Sequence, residues 1–343
     1  MSTMTDPDAL LTPGGVSPAG RLIVAVIPTY RSRETIVKVV RATLEFVDRV
    51  IVVDDACPDG SGSLVADLDS RVELLVNAQN LGVGGSTKAG FARAIELGAA
   101  YVVKIDSDDQ MDPSYIPELI DALETIPELA LAKGNRFVDS ATLHKMPPLR
   151  LIGNSGLTFL VKFASGYWTI VDPTNGYVAL RTEDLGRLDV ASLNNRYFFE
   201  IDLLCALGRR KLPIAELEMP AIYRGERSSL SIAYALWTFP FRLIDRFLRR
   251  LLMSYLITEI NVATLCTVLG IPLLIFAVVF GGSEWYKSNV TGIPRPTGTI
   301  ILALLLFMIG FQLTLQAIIY DVQFCVRTVK LRGRRVTAVR QER

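Results

Sequence analysis

Apolar positions in the first two-thirds of the chain fall in short unbroken runs separated by stretches with helical spacing. Leu22-Ile23-Val24-Ala25-Val26-Ile27 contains no polar position, and Val50-Ile51-Val52-Val53 repeats the pattern. Residues 72–76 and 101–105 are two more mainly apolar runs, and residues 35–46 read as a helix between the first pair. A strand with one wet face alternates apolar and polar side chains, whereas a strand covered on both faces does not. The runs therefore predict an α/β domain over residues 21–230, with a mostly parallel sheet and helices on both sides. Ligands of such sheets bind beyond the carboxyl ends of the strands, so the loops there carry the candidate chemistry.

The last third follows a different pattern. Residues 260–283 form a 24-residue stretch without charge and residues 296–320 a 25-residue one, bounded by Glu259, Glu284, Arg295 and Asp321. A helix needs roughly 20 apolar residues to cross a hydrocarbon core. The pattern predicts a two-helix transmembrane hairpin over 259–321, kinked at Gly270-Ile271-Pro272. Residues 231–258 before it read as a juxtamembrane amphipathic helix, with Arg242, Arg246, Arg249 and Arg250 on one face against an anionic leaflet. The tail, residues 322–343, is basic, while the loop between the spans holds only Lys287 and Arg295. The positive-inside rule puts both flanks in the cytoplasm, at a plasma (inner) membrane. The sequon Asn289-Val290-Thr291 in the outer loop is a weak three-residue match. Residues 1–20 are polar and rich in Pro and Gly, without the apolar run of a signal peptide, and read as a disordered tail.

Charge sharpens this division. The formal net charge is +1, which gives no basis for a generic nucleic-acid binder. Residues 231–343 carry 13 Lys/Arg against 5 Asp/Glu, whereas residues 1–230 carry 23 against 30. The four cysteines form no C-x-x-C pair and fit a reducing compartment. His144 is the only histidine and reads as a surface residue, so a Ser-His-Asp triad or His-rich metal site has little to be built from.

The glycine cluster Gly82-Val83-Gly84-Gly85-Ser86-Thr87-Lys88 is neither G-x-G-x-x-G nor a P-loop, although it suits close approach of a ligand to a helix start. The acidic strand ends say more. The second run ends in Asp54-Asp55 with Asp59-Gly60, and the fourth in Asp106-Ser107-Asp108-Asp109-Gln110-Met111-Asp112-Pro113. Crowded carboxylates repel unless cations compensate. Hard ions such as Mg²⁺ or Mn²⁺ bind through one or two carboxylates plus substrate phosphates, and Asp106-x-Asp108 offers that. Asp112 before Pro113 reads instead as a helix cap.

Taken in order, these motifs resemble the family 2 glycosyltransferases of GT-A fold, in particular the polyprenyl-phosphate glycosyltransferases. The run comprises Ile27-Pro28-Thr29-Tyr30, Val53-Asp54-Asp55, Asn80-Leu81-Gly82, the Asp106/Asp108/Gln110 motif, Gly134-Asn135-Arg136, Asp172-Pro173-Thr174-Asn175-Gly176-Tyr177, Tyr197-Phe198-Phe199-Glu200 and Glu218-Met219-Pro220. The resemblance implies inverting transfer of one sugar from a nucleotide-diphospho-sugar, UDP rather than GDP, to polyprenyl phosphate at the cytoplasmic face. It implies donor contacts at Pro28, Tyr30, Asp55, Lys88, Asp106 and Gln110, and a divalent metal on Asp106 and Asp108, with Asp108 the direct ligand. Acceptor phosphate would meet Arg136, Arg150 and one of Arg224 and Arg227. Glu200 occupies the place of a base but would serve for positioning if the acceptor is already an anion. Asp172 is the other candidate, or a cap of its own turn. The resemblance also implies membrane lipids as partners and a homo-oligomer, a tetramer. Three rivals remain: a processive synthase, whose Q-x-x-R-W motif none of Trp168, Trp237 and Trp285 completes; a tethered transferase acting on a hydroxyl; and a non-catalytic membrane scaffold.

Overall fold

The computed structural model describes residues 20–137, 148–220, 222, 232–258 and 260–333. Residues 1–19, His144, Arg224 and Arg227 lie outside them, and Arg150 lies on a described helix but its side chain does not belong to the described set. The four apolar runs become strands β1 (Ile23–Thr29), β2 (Arg49–Asp54), β3 (Val72–Val76) and β4 (Tyr101–Lys104). Between them run helices α1 (Ile36–Thr43) and α2 (Val83–Glu96), and α3 (Ile116–Thr125) follows β4. In α1 the buried positions are Ile36, Val39, Val40 and Thr43, the i, i+3, i+4, i+7 stripe of a helix lying on a sheet.

The chain continues through β5 (Leu131–Asn135), α4 (Pro148–Ser165), β6 (Val178–Arg181), α5 (Thr182–Gly186), α6 (Phe199–Arg209) and β7 (Ile214–Glu218). With β8 (Thr328–Arg332) these strands make one eight-stranded sheet, ordered β3-β2-β1-β4-β6-β5-β7-β8. β6 is antiparallel to both β4 and β5, and the remaining pairings are parallel. The register sets Thr29 beside Asp54, so the carboxyl ends of β1 and β2 finish level. β1 lies between β2 and β4, and the reversal of strand order there opens the crevice expected of such sheets.

Two expectations are corrected. The glycine-rich start of α2 does approach another backbone closely, but that backbone is the chain's own. A Cβ on Gly84 would collide with the Asn194 carbonyl and lie 2.7 Å from Phe199 Cβ, and the Gly85 N–H donates to Asn195 O at 2.9 Å. The second correction concerns the basic tail. Residues 328–332 form β8, where Val329 and Leu331 pack against the core and the strand pairs in parallel with β7.

The chain divides into two compact units, residues 1–243 with 327–343, and residues 244–326. Helix α7 (Ile232–Leu251) runs from one into the other, and α8 (Val262–Thr291) and α9 (Thr297–Gln323) form the hairpin. Both hairpin helices are long and apolar enough to cross a membrane. Asn261 and Thr264 make a capping box at the start of α8. Gly270 and Gly310 bring the two helices together, since a Cβ on Gly310 would lie 2.6 Å from the Leu274 nitrogen. The four arginines of α7 do not share one role. Arg250 is buried and paired with Asp321 at 2.8 Å, Arg242 lies over the Phe198 ring, and Arg246 and Arg249 pair with Asp245. The exposed apolar stripe of the helix is instead Trp237, Phe241, Ile244 and Leu248.

Replacing Gly84 with alanine should destabilise the sheet domain by about 1–3 kcal/mol, the usual cost of overpacking. Gly186→Ala, whose Cβ meets nothing within 4 Å, should not lower the midpoint of thermal unfolding measured on the same detergent-solubilised protein.

Candidate active site

The loops after β1, β2 and β4 are tied to one another by short polar side chains. Ser32 Oγ lies 2.7 Å from Ser107 Oγ, and Thr35 Oγ1 donates to the Ser107 carbonyl at 2.6 Å. Asp54 accepts from the Cys57 and Gly62 amides at 2.7 and 3.1 Å, turning the chain sharply after β2. Asp59 accepts from the Ser61 amide and from the Cys57 thiol. Burial alone would raise the Asp59 pKa, but the Cys57 and Ser61 hydrogen bonds outweigh it, and the value is lowered to about 2. Tyr30 follows β1 half-exposed, with the Arg31 guanidinium 5.3 Å from its ring centre, while Pro28 is buried within the strand.

At the end of β4 the crowded acids are each compensated separately. Asp106 pairs with Lys104 at 2.6 Å, Asp109 pairs with Lys38 at 2.6 Å, and Asp112 accepts from the Ser114 amide as the expected cap. Asp108 accepts from the Gln110 amide at 3.1 Å. Lys104 is wholly buried and also reaches Glu200, on the first turn of α6, at 3.0 Å. Burial alone would lower the Lys104 pKa, but Asp106 and Glu200 overcome it and hold the ammonium protonated above its ordinary range. Gly176 completes this corner, because a Cβ there would lie 2.5 Å from Lys104 Nζ.

Asp106, Asp108, Gln110 and Arg136 line one cavity of about 100 Å³, together with Asp112, Thr174, Asn175 and Gly176. Predicted donor and acceptor residues thus meet in one place. Arg136 is held there by Asp172, through Nε to Oδ2 at 2.8 Å and Nη2 to Oδ1 at 3.0 Å, and its own amide donates to Oδ2 at 3.1 Å. Asp172 is fully buried, and burial alone would raise its pKa. The Arg136 and Lys133 cations reverse that and keep it below the usual carboxylate range.

Several predicted contacts find other work. Asp172 accepts from the Arg136 guanidinium through both of its oxygens. Glu200 likewise engages Lys104, and neither carboxylate is among the described residues of the cavity wall. Asp55 accepts from the amides of Leu81 and Gly82 at 2.8 and 2.7 Å and from Asn77, so its carboxylate organises the 77–82 loop. Lys88 donates to the carbonyls of Ala191 and Leu193, both at 2.9 Å. Lys104, Lys133 and Glu216 were missed. Their signal was a charged residue interrupting an apolar strand at Tyr101-Val102-Val103-Lys104 and at Leu131-Ala132-Lys133.

The described residues hold no group of three or more His, Cys, Asp or Glu suited to a metal ion. Two carboxylates at one strand end fit a hard divalent ion whose other ligands are substrate phosphates and water. Asp106 and Asp108 are the residues that would hold it.

Acids and an arginine gather at the strand ends of the mixed sheet, and two long apolar helices follow in the chain. Residues 24–188 match Glycosyl transferase family 2. Polyprenol monophosphomannose synthase of Mycolicibacterium smegmatis is 32% identical over 198 residues, 56% of this chain and 73% of that protein. UDP-N-acetylglucosamine–dolichyl-phosphate N-acetylglucosaminyltransferase of Methanococcus voltae is 28% identical over 60% of this chain and 87% of its own. Undecaprenyl-phosphate mannosyltransferase of Micrococcus luteus is 28% identical over 59% and 84%. The chain belongs to glycosyl transferase family 2, with a GT-A-type domain.

The lowered Asp172 pKa has a definite consequence for stability. A carboxylate depressed by folding contributes stability above its unfolded pKa, near 3.9, and loses it as pH falls through the folded value. Asp172→Asn should therefore unfold more easily at neutral pH yet show a flatter loss of Tm below about pH 4. Parallel Tm profiles for the two proteins would contradict the assignment.

Proposed function

We propose that the protein transfers a single sugar from a nucleotide-diphospho-sugar to polyprenyl phosphate at the cytoplasmic membrane face, with inversion at the anomeric carbon. The observation that carries this reading is the one cavity shared by Asp106, Asp108, Gln110 and a clamped Arg136. Guanidinium forks match phosphate oxygens, and Arg136 would hold the lipid phosphate while Gln110 faces the sugar. Tyr30 and Pro28 would line the nucleoside, with Arg150 and one of Arg224 and Arg227 adding charge to the acceptor side. A bound Mg²⁺ or Mn²⁺ on Asp106 and Asp108 would supply neutralisation of the departing diphosphate.

A phosphate monoester is already anionic near pH 7, its second pKa being about 6. Its oxygen attacks the anomeric carbon in line, the bond to the donor diphosphate breaks, and a nucleoside diphosphate departs with that electron pair. No protein base is required, which agrees with Glu200 and Asp172 being engaged by Lys104 and Arg136. The two apolar helices would span the membrane with both ends cytoplasmic. Chain order supports this, because the chain leaves the sheet-domain unit after Leu243 and returns to it at Arg327, on either side of the two apolar helices. The exposed stripe Trp237, Phe241, Ile244 and Leu248 suits burial in the interface beside them. A homotetramer remains part of the proposal on family resemblance.

Purified protein incubated with polyprenyl phosphate, Mg²⁺ and a panel of UDP- and GDP-sugars should form a glycolipid, with a UDP-sugar as donor. Absence of product with every donor would refute the reading, and product from GDP-sugars alone would refute its UDP part. Asp108→Ala should abolish turnover while leaving the circular dichroism spectrum intact; undiminished turnover would remove the metal-binding role.

A further inference from the structure

The strand that follows the second apolar helix carries a cation that the proposed chemistry leaves unused. In β8, Val329 and Leu331 pack against the core, so the intervening Lys330 points to the other face of the sheet. The parallel register sets Lys330 beside Glu216 of β7, and its ammonium forms an ion pair with that carboxylate. The Glu216 side chain has no exposed surface, while Lys330 is partly open to solvent. A carboxylate so buried is tolerable only when paired and hydrogen-bonded.

Its remaining bonds point in one direction. Glu216 Oε1 accepts from the Asp172 amide at 3.0 Å, and both its oxygens accept from the Val171 amide at 3.1 and 3.0 Å. The Asp172 carbonyl accepts from buried Lys133, and the Asp172 carboxylate grips Arg136 at two points. A continuous series of charged contacts thus runs from Lys330 through Glu216 and the 171–172 backbone to the guanidinium at the cavity. These bonds end on the Arg136 wall of the cavity.

We infer that Lys330 is a positioning residue for the acceptor: it neutralises Glu216, which fixes Asp172 and so aims Arg136 at the lipid phosphate. The inference rests on the reading of Arg136 as an acceptor contact. It gives the strand after the membrane hairpin a part in substrate recognition, although it lies far along the chain from every motif. A salt bridge that merely stabilises the sheet would disturb donor and acceptor alike.

The test is steady-state kinetics on the full-length protein with each substrate varied in turn. Lys330→Met should raise the acceptor KM between roughly 2- and 30-fold, the range for residues that act on a site through a network, and leave the donor KM unchanged. Lys330→Arg should restore the acceptor KM. So should the double variant Glu216→Gln/Lys330→Met, whose amide oxygen still accepts from the backbone without needing a counter-charge. The double variant also keeps the test open if Lys330→Met does not fold. An unchanged acceptor KM in Lys330→Met, equal shifts for donor and acceptor, or a double variant that stays impaired would overturn the inference. Arg136→Ala is the separate arm: an unchanged acceptor KM there overturns the acceptor reading of Arg136 itself.

Discussion

A wholly buried ammonium holds the active-site end of this sheet together. Lys104 lies beneath the strand end, within 3.0 Å of both Asp106 and Glu200, and joins β4 to the start of α6. Placing acidic residues at adjacent strand ends costs electrostatic energy, and burying them costs several kcal/mol more for each ion. The fold offsets this by interleaving cations: Lys104 among Asp106 and Glu200, Lys38 on Asp109, Arg136 and Lys133 on Asp172, Lys330 on Glu216. Removing a member leaves a buried charge without its partner, which is far more damaging than the net worth of the pair. These pairs are therefore conditions for forming the site as well as parts of it.

The same arrangement constrains the chemistry. The two carboxylates that occupy base-like positions in the motif order are both committed to cations inside the protein. The cavity wall includes Asp106 and Asp108, suited to a divalent ion, together with Asp112, Gln110, Asn175, Thr174 and Arg136. Divalent-ion ligands and a guanidinium are groups suited to phosphate recognition. An acceptor that brings its own negative oxygen fits this set better than a hydroxyl, which would need a positioned base. Two helices able to cross a membrane agree with a lipid as the carrier of that oxygen.

Much of this was legible from the chain because burial writes itself into composition. Mainly apolar runs announced β1 to β4, and the charge-free stretches announced α8 and α9. The Asp-x-Asp-x-Gln motif and Arg136 were found by type and order, and they share one cavity. What escaped notice were interactions between residues remote in sequence. Lys104 and Lys133 each interrupt an otherwise apolar strand, and a lysine in a doubly covered strand demands a buried anion. Asp55 and Lys88 looked like ligand contacts, but each satisfies nearby backbone groups that the sequence does not show converging. Residues 328–332 looked like a basic tail because their pairing partner, β7, lies more than a hundred residues earlier and their alternation of apolar and polar positions covers only five residues. The antiparallel β6 had no distinguishing pattern, being as apolar as its neighbours.

In the proposed mechanism the acceptor phosphate dianion is itself the nucleophile, with no protein base. The most direct measurement is acceptor kcat/KM against pH, made with polyprenyl phosphate and again with a phosphonate analogue of higher second pKa. The account predicts a single acidic limb, near pH 6 for the phosphate, that moves upward with the phosphonate. A limb that stays in place when the acceptor is changed would assign the ionisation to a protein base and contradict it.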